Sequence, residues 1–364
     1  MSLRIIHAAD LHLDTPFDGL TEEKAALRRS EQRALLERIV SETKSRGADL
    51  LFLSGDLFDS NMTYAETSES LLAALSGVSA PVFIAPGNHD RYSRRSPYAK
   101  LAFPDNVHIF RTPKLESVFL PELRVRVWGA GYNDSSCPPL MRGFHAPEEK
   151  GVLQLLVLHA EVGKPDSPYC PVTENELAQS GIHYAALGHI HLASGLRRAG
   201  TCFYAWPGCP EGRGFDECGE KGILRIDTDG ENCTAEFIPT ASRHYEKLRI
   251  EPGTDALGAI RTALPEGTAR DIYKIILTGE SPSAPDITYL RDRLEENFFA
   301  LTIEDETVPP RDLWRRAGEN SLTGKFLDRM QKKLNDAQNE EERHIVMQAV
   351  RFGMDALEGR EVRL

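Results

Sequence analysis

Five short segments of this 364-residue chain place Asp, Asn or His directly after apolar, strand-like runs: Asp10-Leu11-His12, Gly55-Asp56, Gly87-Asn88-His89-Asp90, His159 and Gly188-His189-Ile190-His191. Alternate residues of an extended segment face the same way, so Asp10 faces with His12 and His189 with His191. Asp56 is a natural bridge between two cations, and Gly55 before it lets the backbone approach closely. Asn88 offers a neutral carbonyl oxygen, an unusual ligand. His89, next in the chain, points elsewhere and is expected to act as a proton donor. Asp90 is expected to accept from that imidazole and set its tautomer. Asp10, His12, Asp56, Asn88, His159, His189 and His191 together are what two adjacent divalent cations require. A mixed N/O set makes Mn the first choice, with Fe or Zn as alternatives. Such a site clamps the attacking and leaving oxygens of a phosphoryl group. The pattern therefore predicts metal-dependent phosphoester hydrolysis.

The positioning elements are legible as apolar runs. Residues 4–9, 49–54, 81–85, 152–158 and 184–187 predict strands, each ending at one of the five segments. Thr21 followed by Glu22 and Glu23 predicts a helix start, and Gly47 its end. Residues 65–75 predict a second helix. Apolar strands separated by helices indicate a sheet buried on both faces, and open α/β sheets form ligand sites at the carboxyl ends of their strands. Residues 116–130 and 195–205 alternate, and residues 223–238 read as a hairpin about Asp229-Gly230. These predict a second, antiparallel-rich sheet packed on the first. The expected fold class is α/β, a two-sheet sandwich flanked by helices.

Composition shifts near residue 241. We expect a domain over 1–240, a small α+β capping domain of β-α-β-α-β order over 241–310, and a helical tail over 311–364 that begins after the break at Pro309-Pro310. The tail carries two apolar stripes: Phe326, Leu327, Met330 and Leu334, then Ile345, Val346, Ala349, Val350, Met354 and Leu357.

The net charge of −12 argues against nucleic-acid binding by bulk charge, but local charge governs a site. Arg91, Arg94, Arg95 and Arg213 are the candidate phosphate contacts, with further basic residues at Arg197, Arg198 and Lys221. The six cysteines form no C-x-x-C pair, so neither a zinc ribbon nor a disulfide framework is expected. Reduced thiols and a cytoplasmic location fit best. The N-terminus runs straight into a strand pattern, which predicts no signal peptide. No apolar stretch approaches the ~18 residues of a membrane span.

The five-part pattern D-x-H, G-D, G-N-H-[DE], H and G-H-x-H stands complete within residues 1–240 and resembles the signature of the calcineurin-like metallophosphoesterase superfamily. The resemblance implies one metal held by Asp10, His12, Asp56 and His191. It implies a second held by Asp56, Asn88, His159 and His189, with His89 as the acid that protonates the leaving oxygen. His7-Ala8-Ala9-Asp10-Leu11-His12-Leu13-Asp14, Gly55-Asp56-Leu57-Phe58-Asp59 and the loop of residues 207–217 are similar to the SbcD-type DNA repair exonucleases, in particular their YhaO branch. Asp59 stands where some relatives have His, and Cys209 where many have Ser. This closer resemblance implies a DNA phosphodiesterase, exonuclease or endonuclease, with DNA as one partner. It also implies an SMC-like ATPase of the SbcC type docking on the C-terminal helices, and a second copy of the chain is a further candidate partner. The alternatives are a small-molecule phosphodiesterase or phosphatase on the same fold, or a metal-bearing scaffold component of such an ATPase complex.

Overall fold

The apolar run before Asp10 forms strand β1 (Leu3–Ala8), and Thr21 caps helix α1 (Glu22–Ser45) by accepting from the Lys24 N–H. Strand and helix then alternate through β2 (Leu50–Leu53), α2 (Ala65–Ser76), β3 (Val82–Ile84), the short α3 (Pro97–Lys100) and β4 (Val107–Ile109). β5 (Glu116–Leu120), β6 (Val125–Gly129), β7 (Leu153–His159), β8 (Glu161–Val162), β9 (Pro171–Val172), α4 (Glu174–Gln179), β10 (Tyr184–Gly188), β11 (Arg197–Ala199) and β12 (Cys202–Ala205) follow. A hairpin of β13 (Gly222–Thr228) and β14 (Cys233–Pro239) completes the first unit. The computed structural model describes residues 2–281, 284–357 and 359. Two compact units emerge, Met1–His244 and Tyr245–Leu364.

The first unit is the expected two-sheet α/β sandwich, with six strands in each sheet, ordered β14-β13-β1-β2-β3-β4 and β11-β12-β10-β7-β6-β5. Two expectations about the second sheet are corrected. Its centre is parallel, because β6, β7, β10 and β12 all run the same way and only the edge pairs β5–β6 and β11–β12 are antiparallel. The 222–239 hairpin lies not there but in the first sheet, where β13 pairs antiparallel with β1. Alternation reports which faces of a strand are buried, not which strand lies beside it, so the pattern was silent on membership. Ile5, Phe52 and Phe83 of the first sheet and Val127, Leu155, Val157 and Tyr184 of the second share the core between the sheets. On the outer face of the first sheet, Leu35, Leu36 and Ile39 of α1 and Leu71 and Leu75 of α2 cover Ile6, Leu51 and Leu53. Each such buried side chain contributes about 1.5–3 kcal/mol. These layers leave the carboxyl ends of β1, β2, β3, β7 and β10 to carry the motif loops.

The second unit starts with β15 (Tyr245–Ile250), α5 (Ala256–Ala263), β16 (Ile272–Leu277), α6 (Ile287–Leu294) and β17 (Ala300–Asp305). Its three strands are all parallel, so this piece is α/β rather than α+β; each helix serves as the crossover that a parallel pair needs. Helices α7 (Leu322–Asp336) and α8 (Glu340–Leu357) pack through Leu327, Val350 and Met354, and Arg351 of α8 reaches Asp305 of β17 at 2.7 Å. Among the described residues no helix is long and apolar enough to cross a membrane.

Candidate metal centre

The loops after β1 and β2 are laced together. Asp10 N–H donates to the Gly55 carbonyl at 3.0 Å, and His12 N–H to the Asp56 carbonyl at 2.9 Å. The backbone here is strained: Asp10, His12, Asp56 and His189 have φ of 54°, 45°, 47° and 94°. Left-handed backbone costs a non-glycine residue on the order of 1–3 kcal/mol, and such strain clusters at functional sites. Two glycines permit the close approach. A Cβ on Gly188 would strike the Ser54 carbonyl, and one on Gly87 would strike the Asp56 carboxylate.

Six of the seven expected ligands converge. His12 Nε2 lies 3.3 Å from His191 Nε2 and 3.7 Å from Asp56 Oδ2. His159 Nε2 lies 3.3 Å from Asp56 Oδ2 and 3.0 Å from Asn88 Oδ1. Asp10 Oδ1 lies 3.9 Å from His191 Nε2. Three groupings have ligand atoms within 4.8 Å of one another: Asp10, His12 and His191; Asp10, Asp56 and His159; and His12, Asp56 and His89. Asp10, His12, Asp56 and His159 are fully buried. His189 stands a step back, outside those groupings. Its ring centroid is 5.1 Å from that of His159 and 4.6 Å from that of Tyr169, and its Nε2 is 4.0 Å from Glu161. Its backbone N–H donates to both Asp10 oxygens, at 3.0 and 3.1 Å.

The tautomers follow from the outer partners. His12 Nδ1 meets Asp59 Oδ1 at 3.1 Å, His191 Nδ1 meets Glu217 Oε1 at 2.7 Å, and His159 Nδ1 meets the Ser54 carbonyl at 3.1 Å. Carboxylates and carbonyls only accept, so each Nδ1 carries the proton and directs its ring. Arg213 Nη2 also stands 3.0 Å from His191 Nδ1. In their neutral forms, with the proton on Nδ1, His12 and His191 turn their Nε2 lone pairs toward each other at 3.3 Å. A shared cation satisfies that arrangement, and the imidazole, carboxylate and amide donors match a divalent first-row metal. The residues present fit the group.

The buried charges divide the imidazoles: His12 and His189 are lowered, whereas His159 and His191 are raised, His191 against its burial by Glu217 and Asp10. Burial pushes His12 and His189 down to about 4, so both are neutral, lone-pair donors at pH 7. Burial pushes Asp10 up to about 6 against the pull of His159 and His191. Burial alone would raise Asp56, but His159 and His12 hold it well below the usual carboxylate range. His159, whose burial would lower it, is raised to about 9 by Asp56 and Asp10.

The sequence profile of calcineurin-like phosphoesterases matches residues 3–193, more than half of the chain. The chain belongs to the calcineurin-like phosphoesterase family. It is 30% identical over 271 residues to the uncharacterized metallophosphoesterase YhaO of Bacillus subtilis (strain 168), an alignment covering 68% of this chain and 63% of that protein. It is 28% identical over 314 residues to one component of the nuclease SbcCD of Bacillus subtilis (strain 168), covering 74% and 78% of the two chains. It is 26% identical over 294 residues to the DNA double-strand break repair protein Mre11 of Aeropyrum pernix, covering 75% and 69%. Residues 3–193 thus form the matched part of a metal-dependent phosphoesterase domain.

Within this phosphoesterase domain two expected roles change. Asp90 does not bond to His89. Its carboxylate accepts from the N–H groups of Gly87 and Leu57 at 2.7 Å and of Phe58 at 3.1 Å, and from the Tyr98 hydroxyl. The buried Asp90 braces the loops, while His89 beside it in the same bend is exposed. The His89 Nδ1 instead lies 3.2 Å from the Asp59 carbonyl. Arg213, expected at a phosphate, is largely buried and committed to the site's own anchors. Its Nη2 donates to Glu217 Oε1 at 2.6 Å and its Nη1 reaches Asp59 Oδ1 at 3.4 Å. Arg91 is half-buried and Arg94 and Arg95 are exposed, and among the described residues none of the three has a side-chain hydrogen bond or ion pair.

The sequence pattern assigns no role to the anchors Asp59, Glu217 and Ser54. Asp59 and Glu217 do stand in the motif after Gly55 and in the 207–217 loop, but their residue types name no partner. His7, set aside from the chemistry, is a core residue bridging the Tyr184 hydroxyl at 2.8 Å and the Ser54 hydroxyl at 3.1 Å.

Proposed function

We propose that the chain is a two-metal DNA phosphodiesterase of the DNA repair type that works with Mn. The observation that carries the reading is the convergence of the ligand side chains, with His12 Nε2 and His191 Nε2 3.3 Å apart and each ring held by a carboxylate anchor. Asp10, His12, Asp56 and His191 would hold one ion, and Asp56, Asn88, His159 and His189 the other. When bound, the pair supplies Lewis-acid polarisation of the phosphoryl group and acidifies water. His89 is the chain's proton donor. With Nδ1 turned to the Asp59 carbonyl, its exposed Nε2 face delivers a proton to the leaving oxygen and recovers it from solvent. Arg91, Arg94 and Arg95 come directly after the Gly87–Asp90 motif and contact the phosphates on either side.

DNA is favoured because the relatives carry the names of a nuclease component and a double-strand break repair protein. Residues 241–310 serve as the capping domain. Residues 311–364 dock an SMC-like ATPase, which fits the exposure of Leu322 and Ile345 on α7 and α8, at 73% and 60%. The protein works in the cytoplasm.

The test is cleavage of end-labelled single- and double-stranded DNA with and without Mn, beside bis(p-nitrophenyl) phosphate and cyclic nucleotides, with elemental analysis of the same samples. Mn-dependent DNA cleavage with two ions per chain supports the reading. Turnover of the small esters alone would replace DNA by a small-molecule substrate, and fewer than two ions would remove the two-metal site.

A further inference from the structure

Helix α1 grips the loop that supplies His12 and the loop that supplies Glu217, the anchor of His191. Arg28 and Gln32 stand one turn apart on its inner face and are fully buried. Gln32 Nε2 donates to the His12 carbonyl at 3.0 Å, where the His12 φ of 45° needs support. Thr15 Oγ1 donates to the same carbonyl at 2.7 Å. Arg28 reaches the opposite loop. Its Nη1 meets Glu211 Oε1 at 2.8 Å and Glu31 Oε2 at 2.6 Å, and its Nη2 donates to the Gly212 carbonyl at 2.9 Å. Glu211 is itself fully buried and accepts from the Ser242 N–H at 2.8 Å. Gly212 precedes Arg213, whose N–H and guanidinium hold Glu217, the acceptor for His191. Arg28 also lies 5.2 Å from the Phe17 ring, beyond the far end of the His12 loop.

A buried ion pair is weak as a source of stability but strong as a device that fixes register. Here it fixes the His12 loop against the loop that anchors His191 through a single helix. We propose that Arg28 and Gln32 are positioning residues that set the separation of His12 and His191, and so the affinity of the ion those two hold. Neither side chain bonds to Asp56, Asn88, His159 or His189, so neither holds a ligand of the other ion directly. This inference rests on the two-metal reading above.

The test uses the full chain with Co2+ alone as probe, followed by its visible absorption and by calorimetry. The His191→Ala and Asn88→Ala variants assign the two binding steps. Gln32→Leu and the charge-free pair Arg28→Met with Glu211→Gln are each expected to weaken the step lost in His191→Ala by ~10–100-fold. They should alter its absorption band and leave the other step unchanged. Gln32→Leu leaves the His12 carbonyl its Thr15 donor, so it decides the matter by itself if the double variant does not fold; melting of the metal-free proteins checks this. Equal weakening of both steps, or no weakening, in a wild-type background that binds two ions overturns the positioning role alone. A wild-type chain that binds fewer than two ions overturns the two-metal reading and this inference with it.

Discussion

The Nε2 atoms of His12 and His191 lie 3.3 Å apart although the residues are 179 positions apart in the chain. Asp59 and Glu217 hold the proton of each ring on the far nitrogen, and Arg213 touches both of those carboxylates. The donors are therefore aimed by the protein's own hydrogen bonds. Preorganisation of this kind means that little conformational freedom is lost on binding.

Asp56 faces both His12 and His159. Asp56→Ala is expected to strip both ions and all activity together, read by elemental analysis and DNA cleavage on one preparation. A variant that keeps two ions and turns over normally would remove Asp56 from the bridging position.

Metal affinity should climb with pH. His159 is raised to about 9, because Asp56 and Asp10 outweigh its burial. The ring is thus protonated at pH 7 in the metal-free protein, and a cation must displace that proton. One displaced proton gives up to about tenfold tighter Mn2+ binding per pH unit, levelling off as the pH passes about 9. Calorimetry in buffers of different ionisation enthalpy counts the proton; none released at pH 7 contradicts the expectation.

His89→Gln should retain both ions and slow turnover by ~10²–10⁴. The comparison is kcat for DNA with wild type and variant at equal metal content. Unchanged kcat would assign the acid role to another residue.

Glu217 links metal binding to acid stability. Burial would raise its carboxyl, but hydrogen bonds from His191 and Arg213 hold it well below its ordinary 4.5. A depressed acid stabilises the fold above that ordinary value, and the contribution drains away as pH falls below it. Glu217→Gln should therefore flatten the acid limb of Tm against pH below about 4.5. The same change should weaken metal binding by ~10–100-fold. An acid limb as steep as that of wild type would refute the linkage.

Asp90 predicts a loss of stability rather than of chemistry. Asp90→Ala leaves the N–H groups of Gly87, Leu57 and Phe58 without their acceptor. At ~1–3 kcal/mol for each buried orphan, the cost is on the order of 3 kcal/mol or more. Tyr98→Phe removes a single partner and should cost about 1 kcal/mol. Urea melts of the metal-free variants measure both. An Asp90→Ala protein as stable as wild type but slow in turnover would restore Asp90 to the catalytic machinery.

The primary structure by itself determined the α/β class, the strand ends that carry Asp10, Asp56, Asn88, His159 and His189, and the residue types that suit a divalent metal. Those are local properties: an apolar run declares a strand, and the polar residue that follows declares a site. Tertiary structure alone decided what lies beside what. The acceptor of the His12 proton is 47 residues away, that of His191 is 26, and that of His159 is a backbone carbonyl 105 residues away. Asp90 turned inward to three N–H groups and Arg213 to two carboxylates because the folded loops bring those partners within reach. The 222–239 hairpin joined β1 for the same reason: alternation of side chains records burial, and only the assembled sheets choose neighbours.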